Sequence, residues 1–468
     1  MINRREFLAG ASAGFFFGPA FAASGFVAGQ LRLRIGIVSD IHFYRNKEHT
    51  GLRKWWNEEL FIHALEYFRD REVDGVLIPG DLTVDGSELE LSAVAAAWEK
   101  VFPNCVGKSG ARVEPMFIRG NHDVRTGAFK QCWERLFHRP ADEMFSHWEV
   151  KGYHFLGAHW AGPKGTPGTK ATVDSLAPTF DPKKPFFFFQ HPHPKSTTVG
   201  EFVWGHDAGE ATAALSAYPN AFAISGHSHH PLTDERSLWQ GAFTSLNAAS
   251  LRYPGVGLEE FDEAFENTTL RERHPHPEID QAKMMPKAGL GDSHPGLMMN
   301  VYDDSIVLER RDFLYDCPFG DDWVVPFPVD PSSAPFAFAR RGQTFPAPQF
   351  PSVPSVKGQR LNALNRAKES RPAIRFTIPS ANAEPRARVH YYAVRLSSQA
   401  LGKTVGKRVL ATDVCQSPSS PLFGKPVSCT IGLDDFAQAE DLKVTVTPYG
   451  FYGRAGHPLT VEIAKGNG

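Results

Sequence analysis

Five apolar stretches in this chain stop abruptly at small or polar residues, and this recurrence restricts the fold more than any other feature. Each stretch is long enough for a buried strand, and Gly, Asp, Asn and His have little strand preference. A single pair such as Gly120-Asn121 is most often an ordinary turn. Because the pattern recurs at five strand ends, we expect these residues to serve a common site. The ends are Asp40-Ile41-His42, Gly80-Asp81, Gly120-Asn121-His122-Asp123, His191 and Gly226-His227-Ser228-His229.

Helical spacing separates the first three of these strands. Apolar residues recur at helical intervals over residues 55–71 and 88–101. Strands that alternate with helices predict an α/β layer architecture with a largely parallel first half. The second half is richer in strands. It is predicted to contain a hairpin around residues 151–152, strands over residues 242–246 and 298–308, and a long polar loop over residues 261–295.

The polar strand ends are suited to metal binding. In α/β sheets the ligand crevice lies outside the carboxyl ends of the strands, so residues far apart in sequence can converge there. Carboxylate, amide and imidazole donors suit Fe, Mn, Zn or similar ions. Seven donors are too many for one tetrahedral ion but suit two ions that share a carboxylate. The candidates are Asp40, His42, Asp81, Asn121, His191, His227 and His229.

The order of these blocks resembles that of the calcineurin-like metallophosphoesterases, with D-x-H, G-D, G-N-H-D/E, H and G-H-x-H in sequence. The resemblance covers roughly residues 31–315. It implies a four-layer αββα-type metallophosphoesterase sandwich that holds two divalent or trivalent transition-metal ions. By the same resemblance, Asp40, His42 and His229 bind the first ion, Asn121, His191 and His227 bind the second, and Asp81 bridges both.

The resemblance also implies a reaction. A metal-activated hydroxide attacks a phosphomonoester or phosphodiester, while His122 acts as general acid or charge stabiliser. Asp123 is expected to orient the His122 imidazole by a hydrogen bond and to raise its pKa. Val84 stands where purple acid phosphatases have a ligating Tyr, so a tyrosinate–Fe(III) site is not expected. The Arg of the protein Ser/Thr phosphatases is also missing after Asp85. Gly80-Asp81-Leu82-Thr83 followed by Asp85-Gly86 resembles the branch of the family that contains small phosphodiesterases, which implies a small phosphoester substrate.

Other polar residues near these blocks have two possible roles. His193 and His230 either support a neighbouring ligand or lie at the surface, and Asn247 either lines the crevice or forms a strand-end turn. Arg45 and Asn46 either contact the substrate phosphate or lie in a solvated loop. The sequence leaves these alternatives open.

The first residues are typical of an export signal. Arg4-Arg5-Glu6-Phe7-Leu8 precedes a short apolar run that ends in Ala20-Phe21-Ala22, which predicts cleavage after residue 22. The paired arginines resemble a twin-arginine signal, but Asn3 leaves a general secretory signal open. We therefore predict a protein exported to the periplasm, cell envelope or medium, without a transmembrane span after signal removal. A net charge of -2 argues against nucleic-acid binding by bulk charge.

The C-terminal part differs in composition. Residues 317–356 are dense in Pro and Phe and are predicted to be a linker between a 30–316 catalytic domain and a 357–468 module. Alternating strands in that module predict a smaller all-β sandwich, which resembles a fibronectin type III or other immunoglobulin-like module. An alternative function is therefore an envelope-associated binding protein whose β module is the working part. The five cysteines leave disulfides Cys415–Cys429 and Cys105–Cys132, or five thiols, as alternatives.

Overall fold

The computed structural model describes most of the chain outside the N-terminus. The described residues are 29–44, 52–199, 205–256, 293–351, 356–364, 369–381, 387–421 and 423–463. The predicted export signal, Arg45, Asn46 and residues 261–292 of the predicted loop lie outside these ranges. Among the described residues, no helix combines the length and hydropathy needed to cross a bilayer.

The first sheet begins with three parallel strands joined by helices, as predicted. Apolar residues at helical spacing place both connecting helices on one face of this sheet. Ser87 caps the second helix by accepting a hydrogen bond from the Glu90 backbone N–H. The elements are β1 (Leu31–Ile37), α1 (Leu52–Asp70), β2 (Gly75–Ile78), α2 (Glu88–Val101), β3 (Glu114–Phe117) and α3 (Phe129–Phe137).

A second sheet follows, in the order β4-β5-β6-β7-β9-β8. It opens with the predicted hairpin and continues with parallel strands β5, β6, β7 and β9. Its elements are β4 (Phe145–Val150), β5 (Tyr153–Ala158), α4 (Thr169–Leu176), β6 (Phe186–Gln190), α5 (Glu210–Leu215), β7 (Ala221–Ser225), β8 (Leu238–Gln240) and β9 (Thr244–Asn247).

The first sheet is completed by antiparallel strands from later in the chain. The single strand predicted over residues 298–308 is wrong, because the chain reverses at Asp303-Asp304 and forms a hairpin of two strands. Two short strands within the predicted linker also pair with this sheet, so its ordered pairing extends past residue 317. The added strands are β10 (Pro295–Tyr302), β11 (Ser305–Asp312), β12 (Cys317–Pro318) and β13 (Trp323–Pro326), and α6 (Phe338–Thr344) follows.

The packing of the four phenylalanines in β6 shows how the layers form. Successive strand side chains point to opposite faces. Phe187 and Phe189 pack in the core between the two sheets, whereas Phe186 and Phe188 pack towards α4 and α5 on the outer face. Helices α1, α2 and α3 cover the outer face of the first sheet. The predicted αββα sandwich is confirmed.

The C-terminal residues form two antiparallel sheets around a separate apolar core, as predicted. One sheet has the order β14-β15-β18 and the other β17-β16-β19-β20. No disulfide links the five cysteines, all of which belong to the described residues. The strands are β14 (Lys357–Leu364), β15 (Ser370–Ile378), β16 (Val389–Ser398), β17 (Lys403–Leu410), β18 (Val427–Gly432), β19 (Leu442–Gly450) and β20 (Leu459–Glu462).

Candidate active site

The carboxyl ends of β1, β2, β3, β6 and β7 meet where the two sheets face each other. The backbone there is unusual, because the left-handed region is rare for residues other than glycine and costs about 1–3 kcal/mol per residue. Asp and His are among the residue types that enter it most readily. Five of the candidate ligands adopt it: Asp40 (φ 50°), His42 (φ 45°), Asp81 (φ 51°), His227 (φ 70°) and His229 (φ 56°).

The first group of donors brings β1 and β7 together. His229 Nε2 lies 2.9 Å from Asp40 Oδ1 and 3.0 Å from His42 Nε2. His42 Nε2 is also 3.7 Å from Asp81 Oδ2. All four side chains are buried, and one ligand atom from each lies within 4.8 Å of the others.

The second group shares Asp81 with the first. His191 Nδ1 donates to the Pro79 carbonyl at 2.8 Å, so the other ring nitrogen, Nε2, faces the group. This Nε2 lies 3.2 Å from Asp81 Oδ2 and 3.1 Å from Asn121 Oδ1. A ligand atom of His227 lies within 4.8 Å of those of Asp81 and His191. Each sequence-predicted metal ligand is therefore found in one of two adjoining groups.

Two glycines of the sequence blocks are needed for close approach. A Cβ atom on Gly120 would lie 2.2 Å from Asp81 Oδ1, and one on Gly226 would lie 2.2 Å from Asp40 Oδ2. Any larger residue would push the carboxylates out of the groups. Neither glycine has a positive φ, so here the small size of glycine matters more than its conformational freedom.

Burial and mutual charge shift the pKa values of the donors. Burial lowers the pKa of His42 well below its usual value and that of His227 to about 3. For His191, burial also acts to lower the pKa, but Asp81 and Asp40 outweigh it and raise the value to about 9. Burial acts to raise the pKa of Asp81, yet His191 outweighs it and holds the pKa well below the ordinary range.

These donors fit bound cations. In the first group, His42 Nε2 and His229 Nε2 lie 3.0 Å apart, and His229 Nε2 lies 2.9 Å from Asp40 Oδ1. In the second group, His191 Nε2 faces two oxygen acceptors at once. A cation in each group would satisfy these atoms together, and nitrogen–oxygen donor sets of this kind suit Fe, Mn or Zn.

His122 lies beside the first group. Its ring centroid is 4.6 Å from that of His42, and its backbone N–H donates to Asp81 Oδ1 at 2.9 Å. Its Nδ1 donates to the Val84 carbonyl at 2.8 Å, and its Nε2 lies 2.9 Å from an Arg125 guanidinium nitrogen. Burial lowers the pKa of His122, so the expected upward shift is wrong.

The expected role of Asp123 is also wrong. Its fully buried carboxylate does not bond the His122 ring; it joins the loop after β2 to the loop after β3. It accepts hydrogen bonds from the backbone N–H groups of Gly120 (2.8 Å), Leu82 (3.2 Å) and Thr83 (2.8 Å). The Thr83 hydroxyl also donates to it at 2.8 Å. The Val84 carbonyl, which sequence patterns cannot reveal, orients the imidazole instead.

Three neighbours of the site were not found from the sequence. Trp160 follows β5, and its ring centroid lies 5.3 Å from that of His227. Tyr253 follows β9, and its ring centroid lies 4.2 Å from that of His229. Arg125 contacts His122 from an exposed position. The strand-end rule that identified the ligands could have pointed to Trp160, two residues after β5.

Two of the residues whose role the sequence left open, His193 and Asn247, support the turn of residues 226–229, which we call the ligand turn. His193 is buried, and its ring nitrogens each lie 2.6 Å from a serine hydroxyl, those of Ser225 and Ser228. Asn247 Nδ2 donates to the His230 carbonyl at 2.7 Å. Both side chains therefore brace the turn that carries His227 and His229.

A family comparison agrees with this geometry. The sequence profile of the calcineurin-like phosphoesterases matches residues 33–231. This part of the chain forms a calcineurin-like metallophosphoesterase domain. The matched range contains every donor of both groups, and the domain is that of a metal-dependent phosphoric ester hydrolase.

Solved structures similar to this domain are distant in sequence. A dimetal phosphatase from Danio rerio is 12% identical with a TM-score of 0.41, and the match covers 64% of this chain and all of that one. A purple acid phosphatase from yellow lupin seeds is 13% identical with a TM-score of 0.40, and the match covers 63% of this chain and 53% of that one. No protein of curated function matches the sequence significantly.

Proposed function

We propose that this metallophosphoesterase is a dinuclear enzyme that hydrolyses small phosphomonoesters or phosphodiesters. The observation that carries this proposal is the pair of donor groups that share Asp81. A shared carboxylate holds two cations close together, which is the arrangement of two-metal hydrolytic sites.

The residues divide between the two ions according to their positions. Asp40, His42 and His229 would hold the first ion, and Asn121, His191 and His227 the second, with Asp81 between them. When bound, two such ions activate a water molecule as nucleophile and neutralise the phosphoryl oxygens. The rest of the chemistry is left to protein side chains at the mouth of the site.

His122 is suited to assist the leaving group. Its Nδ1 is held by Val84, which fixes the tautomer and aims Nε2 away from that carbonyl. Burial lowers the pKa of the imidazole, which favours its neutral form before substrate binds. A phosphoryl group carries negative charge, which would favour protonation of Nε2. The exposed Arg125, now beside Nε2, can turn to the same phosphoryl oxygens.

The enzyme can be tested on chromogenic substrates. Purified protein is loaded with Mn²⁺, Fe²⁺ or Zn²⁺ and assayed on an aryl phosphomonoester and an aryl phosphodiester. We expect metal-dependent turnover of at least one substrate, and Asp81→Ala should lose both turnover and bound metal. Asp303→Ala, at the exposed Arg32 ion pair, is the control and should retain both. If no metal gives turnover and Asp81→Ala binds metal normally, the proposal is refuted.

We further propose that the enzyme is exported. The paired arginines, short apolar run and Ala-x-Ala site at the N-terminus support this proposal. Expression in a bacterial host with fractionation of the cell should place the mature chain outside the cytoplasm, with a new N-terminus at Ala23. Replacing Arg4 and Arg5 by Lys should retain the precursor inside if the signal is of the twin-arginine type. A precursor that remains uncleaved in the cytoplasm in both cases would contradict export.

We also propose that the C-terminal sheets are a fibronectin type III-like module. Their strand order supports this, because strands one, two and five of the region form one sheet and the other four form the second. An experimental structure of the full chain checks this strand order. A different pairing would contradict the proposal.

A further inference from the structure

The segment that follows the ligand turn connects the active site to the C-terminal sheets. We call residues 230–237 the docking segment. It begins one residue after His229, and its His230 backbone N–H donates to Ser228 Oγ at 3.3 Å within the ligand turn. Movement of this segment is therefore transmitted to His229 through the chain and to Ser228 through a hydrogen bond.

Asp234 is the centre of the docking segment. Its carboxylate is fully buried and lies 2.7 Å from His230 Nε2. Arg236 Nη2 donates to the same carboxylate at 2.7 Å and Nε donates at 3.0 Å. A guanidinium that contacts both carboxylate oxygens has a fixed orientation. Asp234 thus ties the residue next to the ligand His229 to the side chain that faces the C-terminal sheets.

The C-terminal sheets contact the docking segment from several strands and turns. Arg236 Nη2 lies 3.4 Å from His390 Nε2 at the start of β16. The Tyr452 hydroxyl, after β19, donates to the Glu235 carbonyl at 3.0 Å. The Thr233 hydroxyl donates to the Val414 carbonyl. The two regions are therefore joined by polar contacts of defined geometry.

Glu235 extends these contacts to β11 and to the segment between the two regions. Arg310 Nη1 donates to its carboxylate at 2.9 Å and Arg341 Nη2 at 2.6 Å. The indole N–H of Trp323 donates at 2.8 Å. Arg341 Nε in turn donates to the Tyr452 hydroxyl at 3.2 Å, so Tyr452 belongs to the same network.

Apolar packing near Tyr253 forms a second connection between the active site and the C-terminal sheets. Val256, three residues after the site residue Tyr253, is buried in the apolar core of the C-terminal sheets. The Ser293 backbone N–H donates to the Cys415 carbonyl at 3.3 Å. The chain on both sides of residues 257–292 is therefore anchored to those sheets.

A network of buried and partly buried charges is a weak source of stability, because desolvation offsets much of the attraction between its members. The network does fix the relative positions of the groups that it joins, and the ligand turn depends on a fixed position of its neighbours. His227 and His229 hold left-handed backbone conformations, with φ values of 70° and 56°, which persist only where the surroundings determine them. The docking segment is part of those surroundings.

We propose that the C-terminal sheets are a positioning element of the metal centre. Through the docking segment they hold the turn that presents His227 and His229 to the metal ions. Asp234 and Tyr452 are positioning residues in this arrangement. The inference rests on the ligand roles proposed above, and it makes the β region part of the enzyme's working structure.

The test compares three variants of the full-length protein. Asp234→Asn weakens the centre of the network, and Tyr452→Phe removes from the C-terminal side one hydroxyl, which bonds Arg341 and the Glu235 carbonyl. Tyr449→Phe makes the same chemical change on β19, where the ring stacks on Tyr391, and is the control. Metal-free protein is titrated with Co²⁺ alone, and both the dissociation constants and the visible absorption spectrum are recorded. The spectrum reports ligand geometry, which a general loss of stability does not change.

We expect Asp234→Asn to weaken Co²⁺ binding about tenfold, in the range found for residues that orient metal ligands. Tyr452→Phe should weaken it about two- to tenfold, the effect of one hydrogen bond. Both should alter the spectrum, whereas Tyr449→Phe should match the wild type. Wild-type affinity and spectrum in Tyr452→Phe would overturn the inference, even if Asp234→Asn fails to fold. If the wild type itself binds no Co²⁺, the proposed function fails instead.

Discussion

Replacement of Asp123 by asparagine separates the role that the structure shows from the role that the sequence predicted. Asparagine has the same shape but replaces one acceptor oxygen by a donor NH₂ group. If its carbonyl stays with Thr83, the NH₂ group faces the backbone N–H groups of Gly120 and Leu82, which now donate to Asp123 Oδ2. Two buried hydrogen bonds are then lost, at about 1–3 kcal/mol each.

The expected loss in the free energy of unfolding is therefore about 2–6 kcal/mol, a large part of the about 5–15 kcal/mol that stabilises most domains. In a domain of this size it lowers the unfolding temperature by roughly 5–20 °C. Chemical and thermal unfolding of metal-free protein measure the change without interference from bound ions. Asp303→Asn, at the exposed ion pair with Arg32, should unfold close to the wild-type temperature, because exposed ion pairs contribute little to stability.

The opposite pattern would refute this reasoning. If Asp123→Asn unfolds at the wild-type temperature but loses turnover, Asp123 acts on the His122 imidazole and not as a link between two loops. A loss of stability together with weaker binding of the second metal ion supports the role of Asp123 as a link between the two loops, because Gly120 precedes the candidate ligand Asn121.

Three further results are expected. His122→Ala should keep both metal ions and lose about 10²–10⁴-fold in turnover, the usual contribution of a general acid; loss of metal on elemental analysis would show that His122 is a ligand. Asn121→Ala should weaken one of two ions in a metal titration, and equal weakening of both would contradict its place in the second group. The pKa of about 9 for His191 in the metal-free protein means that the ring is protonated at pH 7, so metal must displace a proton. Metal affinity should therefore fall about tenfold per pH unit below about pH 9. Calorimetry in buffers of different ionisation enthalpy should show about one proton released on metal binding. If no proton is released, metal does not displace the His191 proton.

Much of the fold could be predicted because the local signals agreed with the tertiary structure. Helix α2 was predicted with its observed bounds, since its apolar residues recur at helical spacing. The hairpin β10–β11 was missed because apolar residues stand on both sides of the reversal, which rests on Asp303-Asp304 alone. The ordered strands after residue 317 were missed because Pro and Phe there look like a linker, although Trp323 and Val325 complete the core between the sheets.

The sequence by itself determined which residues stand at the strand ends, because apolar strands and the residues that stop them are local properties. It therefore pointed to all seven candidate ligands. Only the tertiary structure decided how they meet. Whether Asp81 can stand between two groups depends on the distance between two sheets, and no local pattern encodes that distance. Val84 holds His122 through a carbonyl that every residue has, and Asp123 bonds mainly to backbone N–H groups. Such contacts depend on where loops pass, not on residue type, so sequence patterns contain no sign of them.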